Sequence, residues 1–202
     1  VSPEFKKLIR IVDGVNFKVE NEIIPIIDEL FTNFNFHSQT RTAWLQSSNS
    51  QYAGILKDTI AKRYDLKIQH HDDISEEGWE PYVQEVYASI PEEQFKLYID
   101  RIYHLNQVLM KERFPEVMTL YRGTHKREIS GVIGGEIVEV KQNPLSSWTL
   151  KMSVARKFGD VIFEAQVPRE DILTSFLLFS HSGFEHEMIV IGKPKFTAKR
   201  IK

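Results

Sequence analysis

The hydrophobic pattern of this chain changes period once, near Pro115, and that change governs what it can fold into. Upstream, apolar residues recur every three or four positions, as one face of a helix requires. Downstream, they alternate with polar residues in short runs separated by glycine, as half-buried strands require. Helices first and strands second is an α+β order, whereas βαβ units would switch period repeatedly. Neither G-x-G-x-x-G nor G-x-x-x-x-G-K-[ST] occurs, which disfavours a Rossmann domain and a P-loop.

Four helical segments are expected upstream. Ser2-Pro3-Glu4 opens the first, which carries Phe5, Leu8, Ile9 and Val12 and stops at Gly14. Ile23, Ile24, Ile26, Ile27, Leu30, Phe31 and Phe34 form a second apolar stretch. A third covers residues 50–64, with Tyr52, Ile55, Leu56 and Ile60 on one side. The fourth starts at the capping box Ser89-Ile90-Pro91-Glu92 and continues through Phe95, Tyr98, Ile99, Ile102, Leu105 and Leu109. Its opposite face carries Lys96, Asp100, Arg101 and Gln107, so it packs one side on a core, and Tyr98 and Tyr103 read as packing. Between the last two helices, His70-His71-Asp72-Asp73 offers metal-ligating types but no partners elsewhere, and reads as a solvated loop.

Strands are expected at 118–124, 136–140, 145–149, 161–167 and 185–191, with a short helix near 152–158. A final edge strand follows Pro194; its basic residues Lys195, Lys199, Arg200 and Lys202 suit a solvated edge that resists aggregation. The division is a helical lobe over residues 1–112 and a β-rich core over 113–202, together one compact unit.

Composition removes several chemistries. With no cysteine among 202 residues, disulfides, thiolate metal sites and a cysteine nucleophile are excluded. A net charge of −2 gives no reason to expect nucleic acid as a partner. No apolar run approaches the roughly 18–20 residues of a membrane span, and no signal-peptide pattern opens the chain, so a soluble protein is expected. The chain starts at Val1 rather than Met, which leaves room for residues upstream.

Three short patterns carry candidate chemistry. In Phe184-Glu185-His186-Glu187-Met188, strand alternation puts the two acids on one face and His186 on the other. They form either a solvent-facing stripe or an acid pair at a site. Arg122, at a strand end ahead of Gly123, suits a phosphate or carboxylate: guanidinium binds such groups through two parallel hydrogen bonds, and glycine lets a ligand approach the backbone. Ser147 and Thr149 place two hydroxyls on one face of a short strand, as site groups or as ordinary sheet residues.

The order of these patterns is more specific than any one of them. Tyr121-Arg122-Gly123, Ser147-Trp148-Thr149-Leu150, Val154-Ala155-Arg156-Lys157-Phe158 and Glu185-His186-Glu187 follow one another between residues 118 and 192. This region resembles the mono-ADP-ribosyltransferases of the Arg-Ser-Glu, cholera-toxin-like group. Their marks are an aromatic-Arg strand, a Ser-Thr-Ser strand leading into an Ala-x-x-Phe helix, and a Glu-x-Glu strand. The middle motif departs from the pattern, because tryptophan and threonine follow Ser147.

The resemblance implies a two-sheet β core that binds NAD as co-substrate without a metal. It implies that Glu187 is the catalytic glutamate, stabilising positive charge on the ribose as nicotinamide leaves. Ser147 would orient Glu187, Arg122 would hold the NAD phosphates, Gly123 would contact the nicotinamide amide, and Phe158 would pack against nicotinamide or fill the core beneath its helix. Glu185 would orient or deprotonate an acceptor arginine on a target protein, with the loop from about Ser175 to Phe184 facing that target. His186 reads as structural. The resemblance also implies a bacterial effector or toxin, secreted or translocated into a target cell's cytosol. Its rivals are an NAD glycohydrolase, with water as acceptor, and a non-catalytic binding protein of the same fold.

Overall fold

The computed structural model describes residues 31–36, 40, 51–68, 81, 84–124, 129–134, 136–179, 186–193 and 196–201. The expected helix after Ser2, the stretch from Ile23 to Leu30, the segment 70–73 and residues 180–185, including Glu185, lie outside them. Among the described residues, two helices come first: α1 (Gln51–Tyr64) and α2 (Glu92–Arg113). Eight strands follow: β1 (Val117–Thr124), β2 (Ile129–Gly134), β3 (Ile137–Val140), β4 (Leu145–Thr149), β5 (Val161–Pro168), β6 (Ile172–Ser175), β7 (Glu187–Ile191) and β8 (Thr197–Arg200). Two single-turn helices interrupt them, α3 (Met152–Ala155) and α4 (Phe176–Phe179). The order is α+β. No helix among the described residues is long and apolar enough to cross a membrane.

The expected capping box at Ser89 does not form. Pro91 occupies the cap position of α2 without a side-chain bond, and the Ser89 hydroxyl donates to the Val86 carbonyl at 2.9 Å, closing the preceding turn. At the far end, Phe114 is already extended, as a residue before proline must be.

The strands form one hydrogen-bonded sheet rather than two, in the order β2-β3-β8-β5-β1-β4-β7-β6. Its two halves meet at one registered pair, Tyr121 on β1 with Thr149 on β4, whereas β1 runs beside β5 over the full length of both strands. The strand β8 is not an edge: it lies between β3 and β5, and the edges are β2 and β6. Its basic residues Lys199 and Arg200 are exposed, which is why the segment reads as an edge. Lys199 pairs with Glu136 at 3.1 Å, while Ala198 faces the core.

Packing is two-sided. On one face, Leu120, Trp148, Phe163 and Met188 belong to a core built from the sheet. On the other, Leu145, Ile189 and Ile191 join α1, α2 and the rings of Phe31, Phe34 and Phe36. Phe31 and Phe34 sit in turns rather than in a helix. Helix α2 is tied to β6 by polar bonds: Asn106 donates to the Ile172 carbonyl (3.3 Å) and accepts from the Ser175 hydroxyl (2.7 Å). Gln107, expected on the solvent face, donates to the carbonyls of Arg169 and Ile172, each at 3.0 Å.

Candidate active site

Registers across the middle of the sheet place the candidate residues. Glu164 on β5 is opposite Tyr121, Tyr121 is opposite Thr149, and Thr149 is opposite Glu187. Directly opposed residues share a face, so these four form one polar row across β5, β1, β4 and β7. Ser147 and Ile189, two positions away on their strands, share that face. The Leu150 amide donates to the His186 carbonyl at 3.4 Å, which makes Thr149 and Glu187 a pair of the non-hydrogen-bonded kind. Side chains approach closest in such pairs.

The register gives Glu187 a hydroxyl neighbour besides the expected Ser147. Ser147 is paired with Ile189, and Thr149 stands opposite Glu187. Thr149 is buried, and its hydroxyl oxygen accepts from the Lys151 amide at 3.1 Å, which fixes the turn out of β4. The bulky residue between them does not crowd the site. Trp148 points to the opposite face, buried against Met188, with its ring 5.2 Å from that of Phe196. The tryptophan that departs from the family pattern is a core residue.

Glu187 opens β7 and is half-buried. His186, just before it, adopts φ 46°, a left-handed conformation uncommon for a side-chain-bearing residue. Strand alternation therefore does not extend back through His186, and the argument that set Glu185 and Glu187 on one strand face does not hold. The His186 ring lies 4.9 Å from the Phe176 ring, a packing contact. Glu185 is outside the described residues.

Arg122 is half-buried near the end of β1 and donates from Nη1 to the Ser147 carbonyl at 2.8 Å. Its guanidinium thus bridges the junction where β1 and β4 share one registered pair. The glycine after it serves the chain itself: a Cβ on Gly123 would lie 1.8 Å from the Ala155 carbonyl oxygen. A Cβ on Gly159 would meet the Thr124 carbonyl at 2.2 Å. The end of β1 and the turn after α3 are in mutual backbone contact, and that turn carries Phe158. Phe158 is 55% exposed, so it does not fill the core beneath its helix and leaves a ring face for a ligand.

Lys57 is the group that sequence reasoning did not single out. It lies on α1, 3% exposed, and α1 packs against β4. Burial, then the charge of Arg122, pushes its ammonium down to about 8. The missed signal is in the composition of α1. Residues 53–61 are buried all round the helix, although Lys57, Asp58 and Thr59 are among them. Asp58 is held by Lys62 at 2.8 Å and by the Tyr87 hydroxyl at 2.9 Å. Among the described residues, no group of three or more His, Asp or Glu side chains could hold a metal ion.

Arg122, in register with Phe163, is tied to β4 through the Ser147 carbonyl, Glu187 stands opposite Thr149, and Phe158 is exposed on the turn that adjoins the end of β1. No curated protein and no solved structure matches the chain. A family model described as dinitrogenase reductase ADP-ribosyltransferase (DRAT) matches residues 32–197, most of the sequence and all of the candidate site. That description carries ADP-ribosyl transfer, for which NAD is the co-substrate, and nothing in it points to a toxin, an effector, secretion or translocation. The chain belongs to the dinitrogenase reductase ADP-ribosyltransferase family.

Proposed function

We propose that this protein transfers ADP-ribose from NAD to an arginine side chain of a target protein and releases nicotinamide. The observation that carries the reading is the register that stands Thr149 of β4 opposite Glu187 of β7, with Arg122 of the neighbouring β1 bonded to the main chain of β4, in a chain of this family. The bond from ribose C1′ to the nicotinamide nitrogen breaks, and nicotinamide leaves with the bonding electron pair. Positive charge develops on the ribose, as in glycoside cleavage. The Glu187 carboxylate, hydrogen-bonded to the ribose 2′-hydroxyl, stabilises that charge. Thr149 and Ser147 are positioning residues that hold Glu187, and Arg122 binds the phosphates. The main chain at Gly123 contacts the nicotinamide amide, and Phe158 offers its ring to nicotinamide. An arginine nitrogen of the target forms the new bond to C1′ and loses a proton to Glu185.

The family description names dinitrogenase reductase, which is therefore the first acceptor to test. Incubation with NAD, with and without agmatine as a small arginine analogue, tests transfer directly. Glu185→Ala should abolish ADP-ribosyl-agmatine while retaining hydrolysis of NAD. If wild type forms no ADP-ribosyl product but hydrolyses NAD, water is the acceptor and the protein is a glycohydrolase. If it neither binds nor cleaves NAD, it is a binding protein of this fold.

Phe158→Ala separates packing from binding. A ring this exposed contributes little to stability, so melting should shift by no more than about 2 °C. Aromatic stacking on a planar ring is worth about 1–3 kcal/mol, so KM for NAD should rise about tenfold. A marked fall in melting temperature with unchanged KM would return Phe158 to a packing role.

A further inference from the structure

We infer that the uncovered face of β5 and β1 receives the segment of the target protein that carries the acceptor arginine, with Glu164 selecting a second basic residue in that segment. The inference rests on the transferase reading above and deepens it by naming the charge pattern of the acceptor.

Among the described residues, the sheet is covered unevenly. In β4, β6 and β7 both faces are buried, apart from half-buried Ser147 and Glu187, because α1 packs on β4 and α2 on β6. In β3, β8, β5 and β1 the buried face is the one with Val138, Ala198, Phe163 and Leu120. On the other face Ile137, Lys199, Gln166 and Val117 are exposed, and Glu164 and Tyr121 are half-buried. The turn after α3 bounds this face at its Gly123 end, where Ile162 is buried. Covered and uncovered sheet meet at Tyr121 and Thr149, the registered pair that joins β1 to β4. Glu187 is the next residue in that row, so the proposed catalytic carboxylate stands where the open face begins. A target whose arginine reaches Glu187 from the open side lies over β1 and β5.

Charge identifies the occupant. Within these four strands the open face carries Glu139, Glu164 and one cation, Lys199, and that cation is paired with a further acid, Glu136, at 3.1 Å. The surplus is negative, which attracts a basic segment and repels an acidic one. Glu164 is the acid of this face nearest the candidate site, directly opposite Tyr121. The Tyr121 hydroxyl donates to its carboxylate; burial, then the charge of Glu164, raise the pKa of that hydroxyl, so it remains a donor at neutral pH. A carboxylate has about four acceptor positions, so one bond orients Glu164 and leaves others for a guanidinium or an ammonium. Strands lie about 4.8 Å apart, which puts Glu164, three strands from Glu187, about 14 Å along the row. Extended chain advances about 3.4 Å per residue, so the matching segment carries its second basic residue about four positions from the acceptor arginine. An even separation turns both side chains toward the sheet.

The test uses the full chain as wild type, Glu164→Gln and Glu164→Lys. The acceptors are agmatine and two peptides with one arginine, flanked four positions away on each side by lysine or by glutamate. ADP-ribosyl transfer from NAD gives kcat/KM, and anisotropy of the labelled peptides gives affinity. Wild type should prefer the lysine peptide about tenfold in both measurements, since attraction of one and repulsion of the other add. Glu164→Gln should cut the preference to about twofold and Glu164→Lys should invert it, with kcat/KM for agmatine changed less than about twofold. A preference that survives Glu164→Lys in a folded variant would overturn the inference, as would an equal loss with agmatine, which signals damage to the site itself. If Glu164→Lys does not fold, the fall expected for Glu164→Gln decides. A wild-type dimer that dissociates on Glu164→Lys would overturn it too, by giving the face to a second copy. A binding preference inverted by Glu164→Lys, with no transfer to any acceptor, would keep the surface and sink the transferase reading. Transfer to agmatine and to both peptides without preference would do the reverse. A wild type that neither binds the peptides nor transfers ADP-ribose would overturn both.

Discussion

Glu187→Gln is expected to lower nicotinamide release by about 10²–10³-fold while the protein melts within about 2 °C of wild type. The substitution keeps shape and hydrogen-bonding capacity and removes only the negative charge. Charge is what the proposed reaction needs, because the ribose becomes cationic as the bond to nicotinamide breaks. A carboxylate placed beforehand stabilises that charge without reorganising as it forms. Structure predicts the second half of the result. Glu187 is half-buried at the first position of β7, and the core contacts of that strand come from Met188, Ile189, Val190 and Ile191. The effect should fall on kcat, with KM for NAD changed by less than about threefold, as expected for an interaction that strengthens in the transition state. Equal activity of Glu187→Gln and wild type would remove Glu187 from the chemistry. A large loss of stability would instead mark it as a structural partner of Thr149.

How much of this was legible beforehand depended on whether a signal was local. The change of period at Pro115 located α2 and most of the strands, because periodicity reflects which side of each element is buried. The patterns around Arg122, Ser147 and Glu187 lay in the right order, and the sheet brings β1, β4 and β7 side by side. Strand pairing was not legible, since it is set by contacts between distant residues. It decides that Thr149 rather than Ser147 stands opposite Glu187, that β8 lies inside the sheet, and that eight strands hydrogen-bond continuously. Trp148 departs from the motif because a motif ignores alternation: its neighbours Ser147 and Thr149 take the face of the sheet that carries Glu187, and it takes the other. Lys57 was invisible for a related reason. Nothing in 51–64 says that residues 53–61 are buried all round, and only burial makes Lys57 unusual.

Gly123→Ala should be the most destabilising single-methyl change in the candidate site, with a loss of about 3 kcal/mol and a fall in melting temperature of roughly 6–12 °C. The added carbon would stand 1.8 Å from the Ala155 carbonyl oxygen and 2.8 Å from its carbon. Both are backbone atoms, so no rotamer change relieves the clash. Gly123 also sits in register with Ile162, inside the continuous pairing of β1 with β5, so the strand cannot shift without breaking a ladder. The remaining adjustment is to push away the turn after α3. That turn holds Phe158, and Gly159 beyond it is pressed against Thr124. Displacing it should raise KM for NAD as Phe158→Ala does, but with the stability loss that Phe158→Ala lacks. The contrast separates two uses of one glycine. If Gly123 matters only because a ligand approaches its backbone, Gly123→Ala will lose affinity and keep its melting temperature. If the chain's own turn needs the space, as the Ala155 contact requires, both will fall together. Gly159→Ala, which attacks the same contact from the other side, should reproduce the combined phenotype.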